Sequence, residues 1–155
     1  MASVSRTVAR TVHSAHNIRA DAGQEADMGR RQVIDLPGMG HRAPISLGVR
    51  IDNILYTSGI SGRDAETDSM PEDAAGQAKC MFRNIERMMD AAGGSTDDII
   101  YMQLRLKDRA LREFVDPEWL AMFPDPEDRP ARHAENADLG GGMLMQCQIM
   151  AVIPQ

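Results

Sequence analysis

The segment RPARHAENADLGGGMLMQCQIMAV, Arg129 to Val152, gathers residue types suited to holding a small anion. Arg132 presents a planar fork of donors that matches a carboxylate and keeps its charge at any working pH. Each charge-assisted hydrogen bond from such a fork contributes about 1.5–3 kcal/mol, so two of them could dominate recognition of a small ligand. Gln146 and Gln148 stand two apart in the apolar run that follows, so on a strand both amides share a face. An amide can orient a ligand or a water but cannot accept a proton as a general base near neutrality. The segment has the outline of a β-hairpin, which would set the guanidinium against the amides.

Other candidates lie upstream and beside it. Ser58 and Gly59, in NILYTSG, combine a hydroxyl that donates or accepts with a backbone N–H that no Cβ covers. Asp116 precedes Pro117 and reads either as a helix N-cap or as an acid near the anion site. Trp119, the only tryptophan, is expected to pack on the sheet or an interface, or to floor a ligand site. His133 adjoins Arg132, so strand alternation turns it to the other face. His41 lies just ahead of PISLGV (44–49) and could reach a pocket mouth. A structural ion pair with a nearby acid, such as Glu135, is the alternative for Arg132.

Composition narrows the function classes. The chain of 155 residues fits one domain with a sizeable core. Aromatics make up 4% and there are 12 methionines, so thioethers must fill much of the interior. A net charge of −6, without basic runs, argues against a nucleic-acid partner. No apolar run reaches the roughly 18 residues that span a bilayer, and no secretory h-region is present. A cytoplasmic protein without a membrane partner is expected, although an organelle presequence would resemble residues 1–31. Cys80 and Cys147 lack motif spacing and read as two buried thiols in a reducing compartment. His13 and His16 stand at i, i+3 with no third ligand nearby, so no metal is expected.

The elements that must position these residues follow from periodicity. Residues 1–31 form an extension in which Val4, Val8 and Val12 suggest a short helical arm; residues 32–155 form the domain. QVIDLP reads as a strand ended by Pro37, and ISLGVRID and NILYTSG as strands joined at Asp52-Asn53. Ser69 to Ala92 reads as a helix opened by a Ser69–Glu72 capping box and closed by Gly93-Gly94, with a stripe of Ala74, Ala78, Met81, Ile85, Met88 and Ala92. In DIIYMQLRLKD, Ile100, Met102, Leu104 and Leu106 alternate with Tyr101, Gln103, Arg105 and Lys107. A shorter helix follows, interrupted where Pro117 begins a fresh turn. The order β-β-β-α-β-α-β-β implies an α+β domain: a six-stranded mixed sheet with two helices on its apolar face. A sheet half-covered in this way often packs against copies of itself, leaving ligand clefts between them.

The chain resembles the Rid proteins, also called the YjgF or liver perchloric-acid-soluble family. The resemblance rests on PISLGV (44–49), LYTSGI (55–60), Gln77 and Asn84, LKD (106–108) and PAR (130–132), in order and spacing, over about Gln32 to Val152. It implies a chorismate-mutase-like fold, a homotrimer with pockets at the subunit interfaces, no cofactor, and hydrolysis of 2-imino or 2-enamino acids to 2-keto acids and ammonia. It places Arg132 on the substrate carboxylate and Ser58 and Gly59 as polar contacts, with Ile45, Ala134, Trp119 and Gln148 around the ligand. Asp116 stands where a neighbouring subunit would reach in. The sequence departs from the family pattern in three chemically important ways. Ile45 replaces the tyrosine of Pro-Tyr-Ser-Gln-Ala-Val, an Asp-Pro pair replaces an asparagine followed by a non-proline, and Gln146 replaces the glutamate that handles water. Weak or altered deamination is expected, with a bulkier carboxylate or carbonyl substrate, or a non-catalytic binding role, as alternatives.

Overall fold

A computed structural model describes residues 29–155, so the expected arm with Val4, Val8, Val12, His13 and His16 lies outside the described residues. In chain order the elements are β1 (Gln32–Ile34), β2 (Gly48–Ile51), β3 (Ile54–Thr57), β4 (Ile60–Ser61), α1 (Ala74–Ala92), β5 (Ile99–Leu106), α2 (Arg112–Met122), β6 (Ala131–Asn136) and β7 (Met145–Val152). They build an α+β fold in which one mixed sheet runs β1-β2-β3-β7-β5-β6, with β4 also paired to β7. The six strands read from the sequence are present, and the two-residue β4 is a seventh.

Thioethers and aliphatic side chains fill the space between sheet and helices. Met81, Met88, Met89, Met102 and Met145 are fully buried beside Leu55, Ile60, Leu104 and Ile149. The expected α1 stripe holds, with Ala78, Met81, Ile85, Met88 and Ala92 buried. The start of α1 differs from expectation. Asp73, not Ser69, is the N-cap, accepting from the Gly76 N–H at 2.8 Å. Ser69 is engaged elsewhere, its carbonyl accepting from the Asp64 N–H at 2.7 Å to close the 64–69 loop. Gly93, in the left-handed region at φ 79°, ends the helix as expected.

Three further readings are corrected. The segment 129–152 is not a hairpin: β6 pairs parallel with β5, β7 pairs antiparallel with β5, and β5 lies between them. The helix α2 supplies the crossover that a parallel β5–β6 pair requires. Ile100 is exposed, because a register shift between Ile99 and Tyr101 puts Ile99 into the core instead. Finally, α2 runs unbroken through Pro117. Its start is set upstream by Asp108, which accepts from the Ala110 N–H at 2.8 Å in a 3-10 turn at Arg109–Leu111. Pro117 costs only the bond its N–H would have given to the Glu113 carbonyl.

Two local devices shape the region around Ser58. Thr57, Ser58 and Gly59 stand between the Tyr56↔Met150 and Ile60↔Cys147 pairs, where β7 has only Gln148 and Ile149. Three residues facing two make a β-bulge, which bends the strand and re-aims its side chains. Buried Thr57 secures it by accepting from the Ile149 N–H at 3.0 Å. The second device is the turn Leu36-Pro37-Gly38-Met39. The Leu36 carbonyl accepts from Met39 N–H at 3.1 Å, and Gly38 has φ 77°, a type II pattern with proline and glycine in their preferred places. Met39 is buried, which pins the loop that carries His41.

The buried amides of α1 tie these loops to the frame. Gln77 donates to the Pro71 and Gly142 carbonyls and accepts from the Leu144 N–H. Asn84 donates to the Ser61 carbonyl at 3.0 Å and the Arg63 carbonyl at 2.9 Å, fixing β4 and the residues after it. Asn84→Ala leaves both carbonyls without that donor, and each buried unpaired group costs about 1–3 kcal/mol. Both bonds are only part-buried, so water recovers some of each loss, and the expected outcome is a total fall in unfolding free energy of about 1–3 kcal/mol, measured by urea denaturation. An unchanged midpoint would show that the β4 segment does not depend on Asn84.

Candidate functional site

Strand pairing decides which candidates can meet. Arg132 lies opposite Met102, whose side chain is fully buried under the helices, so the guanidinium points into the helix layer. Gln146 lies opposite Arg105 and Ser61, and Gln148 opposite Gln103, on the other face. That face carries Tyr101, Gln103, Arg105, Gln146 and Gln148, as expected, and exposed His133 joins it. Arg132 and Gln146 of one chain therefore occupy opposite faces of the sheet, with β5 between their strands. The candidate residues fall into two half-sites.

The first half-site is built by β6 and α2. Arg132 Nη2 donates to Asp116 Oδ1 at 2.8 Å, and the guanidinium carbon stands 4.7 Å from the centroid of the Trp119 ring. Trp119 is buried and packs on Phe123, so it is a floor for the cation as well as a core residue. Asp116 is neither an N-cap nor an acid without a partner: it sits inside α2 and pairs with the arginine of its own chain. The structural ion pair expected as the alternative for Arg132 is therefore made, but with Asp116 and not Glu135, which bonds Arg105 at 3.1 Å on the open face. The arginine is 16% exposed and the aspartate 45%, so water screens part of this pair. Arg132 Nη1 is buried and has no hydrogen-bond partner among the described residues. Ala134 packs against the core next door and lines a cavity of about 120 Å³ with Leu106, Arg109, Glu135 and Asn136.

The second half-site gathers where β4 meets β7. Gln146, Gly59, Ser61, Arg63, Met143 and His41 are among the residues lining a cavity of about 110 Å³. Gly59 is required there by close approach rather than by an open N–H. A Cβ on Gly59 would overlap Gln146 Oε1 and stand 3.1 Å from its Cδ, so the amide covers the glycine. The Ser58 hydroxyl donates to the Ser46 carbonyl at 2.7 Å, which leaves its oxygen lone pairs for a ligand. Gln148 is tied to the sheet, its Nε2 donating to the Thr57 carbonyl at 3.3 Å, whereas no hydrogen bond engages the Gln146 amide among the described residues. Ile45 is 54% exposed on the loop before β2. His41 Nε2 is buried without a partner, as Arg132 Nη1 is; these two atoms, one in each half, are the orphaned buried polar side-chain atoms among the described residues. Sequence reasoning missed Ser61, Arg63 and Met143; the Asn84 contacts that hold the first two join residues 21 and 23 positions apart.

The remaining features are consistent with this division. The open face is apolar toward its β1–β3 end, where Val33, Ile54, Tyr56 and Val152 are exposed. Cys147 is buried, and burial pushes its thiol far up from its ordinary range. Cys80 is only half-buried, contrary to expectation; burial first, and then Asp64, raises its thiol. Among the described residues no group of three His, Cys, Asp or Glu side chains could hold a metal, and no helix is long and apolar enough to cross a membrane.

Comparison with known proteins gives this geometry a context. The family model described as "Endoribonuclease L-PSP" matches residues 39–153. Over 98 residues the chain is 33% identical to the 3-aminoacrylate deaminase RutC of Acinetobacter baylyi, covering 63% of this chain and 76% of that protein. The crystal structure of RidA from the Antarctic bacterium Psychrobacter sp. PAMC 21119 superposes with a TM-score of 0.73 at 29% identity, covering 79% of this chain and all of that one. The YjgF gene product of E. coli superposes with a TM-score of 0.70 at 25% identity, covering 78% and 98%.

The contact between Gly59 and Gln146 yields a direct test. Gly59→Ala should push the unbonded Gln146 amide aside at a cost of no more than about 1 kcal/mol. Gln146→Ala should be close to neutral, and the double variant should recover most of the loss, a coupling readable in a double-mutant cycle of denaturation midpoints. Additive effects would show that the two residues do not touch.

Proposed function

Since the chain belongs to the Rid (YjgF) family, we propose that it hydrolyses a small 2-imino or 2-enamino acid to the 2-keto acid and ammonia, in a pocket completed between copies of the chain in a homotrimer. Arg132 from one copy holds the substrate carboxylate over Trp119, with Ala134 nearby. Ser58 and Gln146 from the next copy face the reacting carbon, with Gly59 beneath the Gln146 amide, and Ile45 forms the apolar wall. Gln148 shapes the same face from its tie to β3. The relative named as a 3-aminoacrylate deaminase supports this reaction class, because 3-aminoacrylate is itself an enamine acid.

The observation that carries this reading is the state of Arg132. One of its nitrogens is held by Asp116, its plane is braced by Trp119, and Nη1 is buried with its hydrogens unspent among the described residues. An arginine braced in this way is ready to donate to an incoming carboxylate without losing further side-chain entropy. The opposite-face arrangement supports a site that takes one set of residues from each of two copies, and the exposed Val33, Ile54, Tyr56 and Val152 offer apolar surface for such a contact.

Two departures set the expected strength. Asp116 brings a negative charge to the carboxylate seat, so binding leaves the pair of acids sharing one cation. Gln146 cannot act as the general base, and losing such help typically lowers rates by about 10²–10⁴-fold. Exposed Ile45, apolar where the family pattern has a tyrosine, favours a bulkier and less polar carboxylate or carbonyl compound as a second reading of the same pocket. RNA is a poor substrate for a chain of net charge −6.

The test is ammonia and keto-acid release from imines formed in situ by an amino-acid oxidase. Wild-type protein should accelerate release. Arg132→Ala should lower kcat/KM by at least about tenfold, the equivalent of one charge-assisted bond. Asp116→Asn should lower KM instead. Equal release with and without protein rejects the reading, and an unchanged kcat/KM in Arg132→Ala rejects the role given to that residue.

A further inference from the structure

We propose that His41 is the proton-transfer residue of this site, taking the part that Gln146 cannot play; the proposal rests on the hydrolytic reading above. The cavity lined by both His41 and Gln146 contains an imidazole nitrogen and an amide that each make no hydrogen bond among the described residues. His41 Nε2 is buried and makes no hydrogen bond among the described residues. Leaving such an atom unpaired costs about 1–3 kcal/mol, so a site that retains one calls for a water or a ligand atom. The cavity, about 110 Å³ and lined by polar Ser61, Arg63 and Gln146 besides the imidazole, has room for a water and polar partners to hold it. The substrate's carboxylate belongs across the interface on the arginine half, and its C2 must reach the mouth of this cavity.

The histidine is placed by structure and not by chance of a loose loop. The proline-glycine turn at Leu36–Met39 and the buried Met39 side chain hold the chain two residues before it. On the opposite wall, Asn84 grips the Ser61 and Arg63 carbonyls. Arg63 is the other ionisable residue on the cavity, and its charge is balanced by Asp68 at 2.9 Å; Arg42 follows His41 on the loop. An imidazole titrates nearest to neutrality of all side chains and can accept and return a proton within one turnover. Gln146 Oε1 and Nε2 can orient a water by accepting and donating, with no change in protonation.

The step balances as follows. The substrate enters as a 2-iminium carboxylate. The water oxygen bonds to C2, the C=N π pair moves to nitrogen, and one water proton passes to His41 Nε2, giving the carbinolamine and an imidazolium. The imidazolium then protonates the amine. The C–N bond breaks as the hydroxyl oxygen forms C=O, its proton returns to Nε2, and ammonia leaves and carries that proton away. The products are the 2-keto acid and ammonium, with no oxidant or reductant required.

The experiment compares His41→Ala and His41→Gln with wild-type protein in the imine-release assay across pH 5 to 9. Wild-type kcat should rise with pH along a single limb that depends on His41. Both variants should lose about 10²–10⁴-fold in kcat with KM little changed, and should lose that limb of the profile. Added imidazole should partly restore His41→Ala, and Gln146→Glu in the His41→Ala background should restore activity by returning a carboxylate to the cavity. If the variants keep wild-type kcat and pH dependence while Arg132→Ala is inactive, the proposal is overturned and the hydrolytic reading stands. If wild-type protein itself releases nothing above the uncatalysed rate, both fall. Should His41→Ala fail to fold, His41→Gln with the same profile measurement decides.

Discussion

Successive residues of a pleated strand point to opposite faces, and paired residues on neighbouring strands share one. In this chain that rule separates the cation from the amide. Arg132 shares its face with buried Met102, and Gln146 shares its face with Arg105 and Ser61. No rotamer choice brings them together, because β5 and the whole thickness of the sheet intervene. The proposed two-copy site follows from that separation. Each half-site is well built and locally braced, each retains one orphaned polar atom, and each lacks what the other holds.

The arginine half shows how a charge can be kept inside a small protein without being spent. An isolated buried guanidinium would be costly, and Asp116 and Trp119 reduce that cost from two directions, one by charge and one by the electron-rich ring face. Neither uses Nη1. In the proposed site, Asp116 would compete with a ligand carboxylate for the Arg132 charge. The amide half follows a different logic. Gly59 lets Gln146 lie flat against the backbone, the bulge at Thr57–Gly59 turns β4 so that Ser61 faces the amide, and the loop through Met39 places an imidazole beside it. Gln146 offers no carboxylate there, and His41 lines the same cavity.

Local pattern made much of the fold legible. The α1 stripe, the Asp52-Asn53 turn and the alternation of Met102, Leu104 and Leu106 all depend on neighbours within a few residues, and all appear as read. Long-range pairing was not legible in the same way. An arginine-bearing strand and an amide-bearing strand joined by a glycine-rich link look like a hairpin, and nothing local reveals that β5 is inserted between them. Ser69 carries a capping signal as good as that of Asp73, but the 64–69 bridge has already engaged it. At the site, residue identity pointed to Arg132, Gln146, Gly59 and Asp116, while their faces depended on register. Ser61 and Arg63 carry no signal of their own, because their positions are set by Asn84 from across the chain.

Mixing two disabled variants tests the divided site most directly. One variant carries Arg132→Ala and the other a bulky Gln146→Arg that fills the amide half. Each alone should be inactive in imine hydrolysis. After unfolding, mixing in equal amounts and refolding together, about one quarter of the interfaces should pair two intact halves, with a matching return of activity. Formation of mixed oligomers with no return of activity, or full activity in a protein that sediments as a monomer, would contradict a site made by two copies.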